Sequence, residues 1–246
     1  MNGGAETVVD ALLEVLGPAG TLVVPTFTDE IAMDPNFVFD PLNTPSLVGA
    51  ISEAARRRPG ARRSLHGWHS VAAMGPLADA IVREVGSSPW LPDGPMPKII
   101  DHGGMFMLLG VPYQRLTLVH LMEWECGVAY RPGRLVELPI RRPDGSLAKL
   151  VNLECPPEPP FPGNDFNRLG QAMEEEGLVR LGGVGNAIAR LFQGQDVRKV
   201  ARELHLKDNR AFLREGVVTE LSYGHTVSRP RGDLCVLNPE GIYDVD

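Results

Sequence analysis

The run Met105-Phe106-Met107-Leu108-Leu109-Gly110-Val111-Pro112, continuing as Tyr113-Gln114-Arg115-Leu116-Thr117-Leu118-Val119-His120-Leu121-Met122-Glu123, decides the reading of this chain. Its first part is a continuous apolar run closed by a proline, the pattern of a strand buried on both faces. Its second part predicts a helix from Thr117 onward. The spacing T-x-x-H-x-x-E puts Thr117, His120 and Glu123 on one helical stripe. A histidine near a helix start beyond a strand can act as a general base, with a carboxylate to orient its ring. The same spacing also fits a Thr117 helix cap, a core histidine at 120 and a solvated carboxylate at 123.

Outward from this stretch, short apolar runs alternate with helical patterns. Val8, Leu12, Leu13 and Leu16 form a helical stripe stopped by Gly17-Pro18. Thr21–Val24 and Ser70–Met74 read as strands, and helices are expected from Pro45 towards Arg58 and over Leu77–Val85. This alternation predicts an α/β layered core up to about residue 130. From Arg134 to Leu153 two strand-like runs flank Asp144-Gly145, a hairpin signal. A proline-rich stretch follows, then expected helices over Asp165–Gly177 and Val184–Leu206, and a final strand or extended tail from Cys235. The chain therefore reads as one domain, 1–246, with a core over 1–130 and a hairpin and helical lobe over 131–246.

The net charge of −7 disfavours a nucleic-acid partner, and it suits a cationic substrate as well as plain solubility. Three cysteines, Cys126, Cys155 and Cys235, give neither a disulfide framework nor a paired metal motif, so no metal is expected. No apolar run reaches membrane-span length and the N-terminus has no signal-peptide pattern, so a cytoplasmic protein is expected.

Two further clusters could carry binding. Arg62-Arg63-Ser64-Leu65-His66-Gly67-Trp68-His69-Ser70 gathers donors suited to phosphates or a pantetheine chain; its arginines also fit a helix C-terminus. Asp165, Glu174, Glu175 and Glu176 could meet a polyamine, or form one exposed helix face.

Four segments in order, GGAETVVDALLEVLGPAGTLVVPTFT, TPSLVGAISEAARRRPGARRSLHGWHSVAAMG, MFMLLGVPYQRLTLVHLMEWECGVAYR and NDFNRLGQAMEEEGLVRLGGVGNAIARLF, together resemble the aminoglycoside 3-N-acetyltransferase family, also called the antibiotic N-acetyltransferase or YokD-like fold. The resemblance implies an α/β/α sandwich with an added β-hairpin and a C-terminal helical lobe. It implies acetyl transfer from acetyl-CoA to an aminoglycoside 3-amino group, with His120, Glu123 and Thr117 catalytic. Arg63, Ser64, His66, Ser70 and Thr26 are then expected at the cofactor, and Asp165, Glu174 and Glu175 at the substrate. A homodimer is an expected assembly. The resemblance begins after the family's usual first helix and V-H-S-S-L-like strand, and it departs at Gly67, where proline is common. An acetyltransferase for another small amine, or an inactive binding relative, are the alternative readings.

Overall fold

A computed structural model describes residues 3–28, 32, 34–83, 87–157, 161–215 and, by backbone alone, 242–244. The described residues fall into two compact units, one within 1–95, 134–154 and 242–244 and the other within 96–133 and 155–215. The hairpin over 134–154 belongs to the first unit, with the N-terminal segment.

In the first unit, helix α1 (Gly4–Leu16) ends at Gly17, and strand β1 (Leu22–Pro25) follows. Helix α2 (Ala50–Arg56), strands β2 (Arg62–Arg63) and β3 (Val71–Met74) and helix α3 (Ala78–Val82) complete the N-terminal half. The expected end of α3 at Val85 lies outside the described residues. β3 is the centre of a three-stranded antiparallel sheet, β1-β3-β2, and it is buried along its whole length. Val9, Val24, Ala54, Ala55, Ala72 and Met74 form the core that joins α1 and α2 to this sheet. Gly75 closes the strand at φ +124°, and a Cβ there would lie 2.3 Å from the Gly20 carbonyl oxygen.

The Asp144-Gly145 signal produces the expected hairpin, β5 (Arg134–Arg141) against β6 (Leu147–Glu154). Strand β9 (Ile242–Asp244) pairs antiparallel on the other side of β6, in the segment read as a final strand. Phe39 bridges to Ile140, and both lie in a second core with Leu138, Ala148 and Leu150. The long loop after β1 is thereby anchored to the hairpin.

In the second unit, helix α4 (Pro95–Asp101) precedes strand β4 (Met105–Leu109), and a single 3-10 turn (Tyr113–Arg115) leads into α5 (Val119–Cys126). Helix α6 (Asn167–Glu175), hairpin β7 (Arg180–Val184) and β8 (Ala187–Gln193), and helix α7 (Gly194–Lys207) follow. Two expectations change here. Among the described residues β4 is an edge strand of the antiparallel sheet β4-β8-β7, and it is not buried on both faces: Met105 is 43% and Met107 38% exposed, whereas Leu108 is buried. The expected helix over 184–206 is a strand up to Gln193 and a helix only after it. Gly185-Asn186, with Gly185 at φ +59°, makes the two-residue hairpin turn that a continuous helix would forbid. Among the described residues, no helix is long and apolar enough to cross a membrane.

Candidate active site

The second unit assembles a polar cluster around one carboxylate. Helix α5 places His120 and Glu123 a turn apart, and His120 Nδ1 lies 2.6 Å from Glu123 Oε2. A carboxylate can only accept, so Nδ1 carries the proton and the ring's lone pair is on Nε2. Gly127, in the left-handed conformation, ends α5 and turns the chain back, its N–H donating to the Glu123 carbonyl. That reversal brings Tyr130 and Arg131 to the same carboxylate. Tyr130 OH donates to Oε1 at 2.8 Å, and Asn164 Nδ2 donates to Oε1 at 2.8 Å. Arg131 Nε lies 2.7 Å from Oε2. Its N–H is off the line of a hydrogen bond, so the contact is one of charge.

Glu123 is 1% exposed. Burial would raise its carboxyl pKa, but the adjacent His120 ring that hydrogen-bonds it, the Arg131 charge and the Tyr130 hydroxyl outweigh burial and hold it below the usual range. Burial, together with the Glu123 charge, pushes the Tyr130 phenol up, so it stays a donor. The His120 ring is half-buried and meets the edge of Phe166, 5.3 Å between centroids. Thr117 sits one turn before His120, its carbonyl accepting from the His120 N–H, and its side chain caps no helix. His120 and Glu123 are therefore brought together, with Thr117 joined to His120 through its backbone carbonyl; Tyr130, Arg131 and Asn164 are the members missed from the sequence. Tyr130-Arg131 just past the Gly127 helix stop was the signal available for two of them.

In the first unit, the other predicted residues lie near the ends of β1, β2 and β3; Thr26, Ser64, His66 and Ser70 are buried and Arg63 is half-buried. Thr26 Oγ1 and Ser70 Oγ lie 2.9 Å apart, and Arg63 Nε reaches both, at 3.2 and 3.0 Å. The remaining Arg63 nitrogens donate to the carbonyls of Thr26, Thr44 and Pro41, and the guanidinium lies 5.0 Å over Phe39. Burial draws its pKa down to about 9. Ser64 Oγ accepts from the Val71 N–H. These groups lock the ends of β1, β2 and β3 to the long loop.

His66 is buried next to His69 and Glu154, whose ligand-type atoms all lie within 4.8 Å of one another. His66 Nδ1 accepts the backbone N–H groups of Trp68 and His69. In the neutral ring the proton therefore sits on Nε2, which faces Glu154 Oε1 at 3.5 Å. Burial and the neighbouring His69 hold the His66 pKa well below the usual value, in keeping with a neutral ring. A metal would need a lone pair on Nε2 and a donor at Nδ1; this loop provides the reverse. Gly67 N–H donates to the buried Asn152 Oδ1 at 2.8 Å, a bond no proline could make.

The acidic set disperses within its unit. Asp165 Oδ1 accepts from the Asn167 N–H at the start of α6. Glu174 accepts from Tyr113 OH and pairs with Arg190. Glu175 is exposed and accepts from Gln171. Cys126 and Cys155 are half-buried, and Cys235 lies outside the described residues.

A family model described as aminoglycoside 3-N-acetyltransferase matches residues 1–205. The aminoglycoside N(3)-acetyltransferase VII of Streptomyces paromomycinus is 34% identical over 227 residues, covering 79% of this chain and 77% of that protein. The crystal structure of the aminoglycoside acetyltransferase AAC(3)-IVa apoenzyme superposes with a TM-score of 0.70 at 27% identity, covering 96% of this chain and 84% of that one. A histidine-to-alanine mutant of AAC(3)-IVa, in complex with apramycin, gives a TM-score of 0.68 at 28% identity, covering 86% of this chain and 81% of that one.

Proposed function

Because the chain belongs to the aminoglycoside 3-N-acetyltransferase family, we propose that it carries the acetyl group of acetyl-CoA directly onto an aminoglycoside 3-amino group, with His120 as general base. The observation that supports this is the 2.6 Å contact from His120 Nδ1 to buried Glu123, which leaves the ring's lone pair on Nε2. The substrate nitrogen attacks the thioester carbonyl carbon as Nε2 takes its proton. The oxyanion that forms is met by the Thr117 hydroxyl or a backbone N–H. It then collapses, the C–S bond breaks, and the imidazolium returns the proton to the leaving sulfur. Glu123 orients the ring and stabilises its charged state. No covalent enzyme intermediate is required, and no step as written calls on a metal.

Thr26, Arg63, Ser64, His66 and Ser70 act on the cofactor, in this reading, through the loop they hold. Glu174 and Glu175 offer negative charge to a polycationic substrate, while Asp165 fixes the start of α6. The reading places the reaction in the cytoplasm, where acetyl-CoA is available.

The test is CoA release from purified His120→Ala and parent chain with several aminoglycosides and with simple amines. The variant should fold and lose about 10²–10⁴-fold in rate. A folded variant at the parent rate ends the base assignment, and equal turnover of simple amines ends the substrate assignment.

A further inference from the structure

Glu123 poses a problem that the pairing with His120 does not solve. A buried carboxylate beside an imidazole favours the imidazolium, and an imidazolium cannot take a proton from an amine. Arg131 sits on the oxygen that His120 uses. Both meet Oε2, at 2.6 Å from His120 and 2.7 Å from Arg131. The other oxygen is held by two neutral donors, Tyr130 OH and Asn164 Nδ2.

Arg131 is itself fixed. Its Nη1 donates to the Cys155 carbonyl at 3.0 Å, its Nη2 donates to Asn164 Oδ1 at 2.7 Å, and its guanidinium lies 5.5 Å from the Phe161 ring centre. Asn164 uses its oxygen towards Arg131 and its nitrogen towards Glu123, so the three side chains close a circuit. Arg131 and Glu123 together carry no net charge.

The charged groups on α5 and on the loop before α6 have partners of their own. On α5, Cys126 lies near Tyr130, and Glu125 is paired with Arg198 and Arg202 of α7. On the loop before α6, Phe166 presents a neutral edge, and the Asp165 carboxylate accepts from the Asn167 N–H.

We propose that Arg131 is a positioning residue of the transfer: it neutralises Glu123, so that the carboxylate fixes the tautomer of His120 without holding the ring as an imidazolium. This rests on His120 being the base. The sign follows from the charges. Without Arg131, the unbalanced Glu123 stabilises the imidazolium and raises the pH at which His120 loses its proton. Activity is then lost below that higher value and recovered above it.

The experiment compares pH profiles of kcat/KM and kcat, from about pH 5.5 to 9.5, for the parent, Arg131→Met, Arg131→Lys and His120→Gln. In Arg131→Met the acid limb should move up by about one to three pH units, with most of the lost rate regained at the alkaline end. Arg131→Lys keeps the charge but loses the fork, so its kcat falls while its acid limb stays within about half a unit of the parent. If Arg131→Met does not fold, Arg131→Gln keeps an amide towards Asn164 and carries the same prediction. An acid limb that stays put while the rate drops evenly at all pH values overturns the proposal and leaves a structural role. His120→Gln separates the two readings. If it retains the parent profile, the base assignment itself fails. If it is inactive while Arg131→Met leaves the limb unmoved, only the role of Arg131 fails.

Discussion

Replacing Glu123 by glutamine tests the active-site chemistry most directly, because it changes charge and hydrogen bonding at nearly constant volume. The carboxylate accepts three hydrogen bonds, from His120, Tyr130 and Asn164, and forms an ion pair with Arg131. An amide can keep one oxygen for Tyr130 and Asn164. Its NH2 then faces His120 and Arg131, where only an acceptor fits. The imidazole relieves the conflict by moving its proton to Nε2 and accepting from the amide at Nδ1, which removes the lone pair the reaction needs. A wrong tautomer of this kind costs on the order of 10²–10⁴ in kcat. Arg131, with a side chain only 12% exposed, is left as a nearly buried cation without its anion. Breaking such a pair costs about 3–5 kcal/mol, and the retained contacts favour the lower end. For a chain of this size, about 3 kcal/mol corresponds to a fall of roughly 6–12 °C in Tm. Steady-state kinetics of CoA release and thermal melting of the same preparation measure both effects. A folded Glu123→Gln enzyme within about threefold of the parent kcat would refute the tautomer argument; an unchanged Tm would refute the energetic one.

Three further outcomes follow from the packing. His66 is neutral in the folded chain and takes a proton near pH 6.5 when unfolded, so its site loses stability as pH falls below 6.5, at about 1.4 kcal/mol per unit until its depressed folded value is reached. Denaturant melts between about pH 7 and 5 should show that slope in the parent and a flatter one in His66→Gln; equal slopes would contradict it. Gly67→Pro should destabilise the chain by about 1–3 kcal/mol, although proline is common there in the family, because it removes the N–H that Asn152 accepts and crowds Leu138; urea unfolding reads this, and a neutral result would mean Asn152 finds another donor. Gly170→Ala on α6 would put a Cβ 2.0 Å from Tyr113 Cγ, the rigid end of a buried ring, and should cost about 1–3 kcal/mol by the same assay.

Local patterns made much of this molecule legible. The α1 stripe, the Asp144-Gly145 hairpin and the alternation of short strands and helices all describe neighbours a few residues apart, and each forms. The spacing of His120 and Glu123 is legible for the same reason, since residues three apart on a helix must face the same way. The segment 184–206 misled because apolar residues in a short strand and in the next helix can share a helical period, while the Gly185-Asn186 turn that divides them occupies two positions. The Met105–Leu109 run was apolar throughout, yet apolar character cannot say whether a strand stands at the centre or the edge of its sheet.

Sequence alone therefore determined most of the local elements, the family and the histidine–glutamate pair. The tertiary structure decided what that pair means chemically. Asn164 stands 41 residues from Glu123, and Arg131 reaches it only after the chain has turned at Gly127. Whether a carboxylate is neutralised, and so whether the imidazole beside it can accept a proton, depends on charges that meet through folding and leave no fixed spacing along the chain.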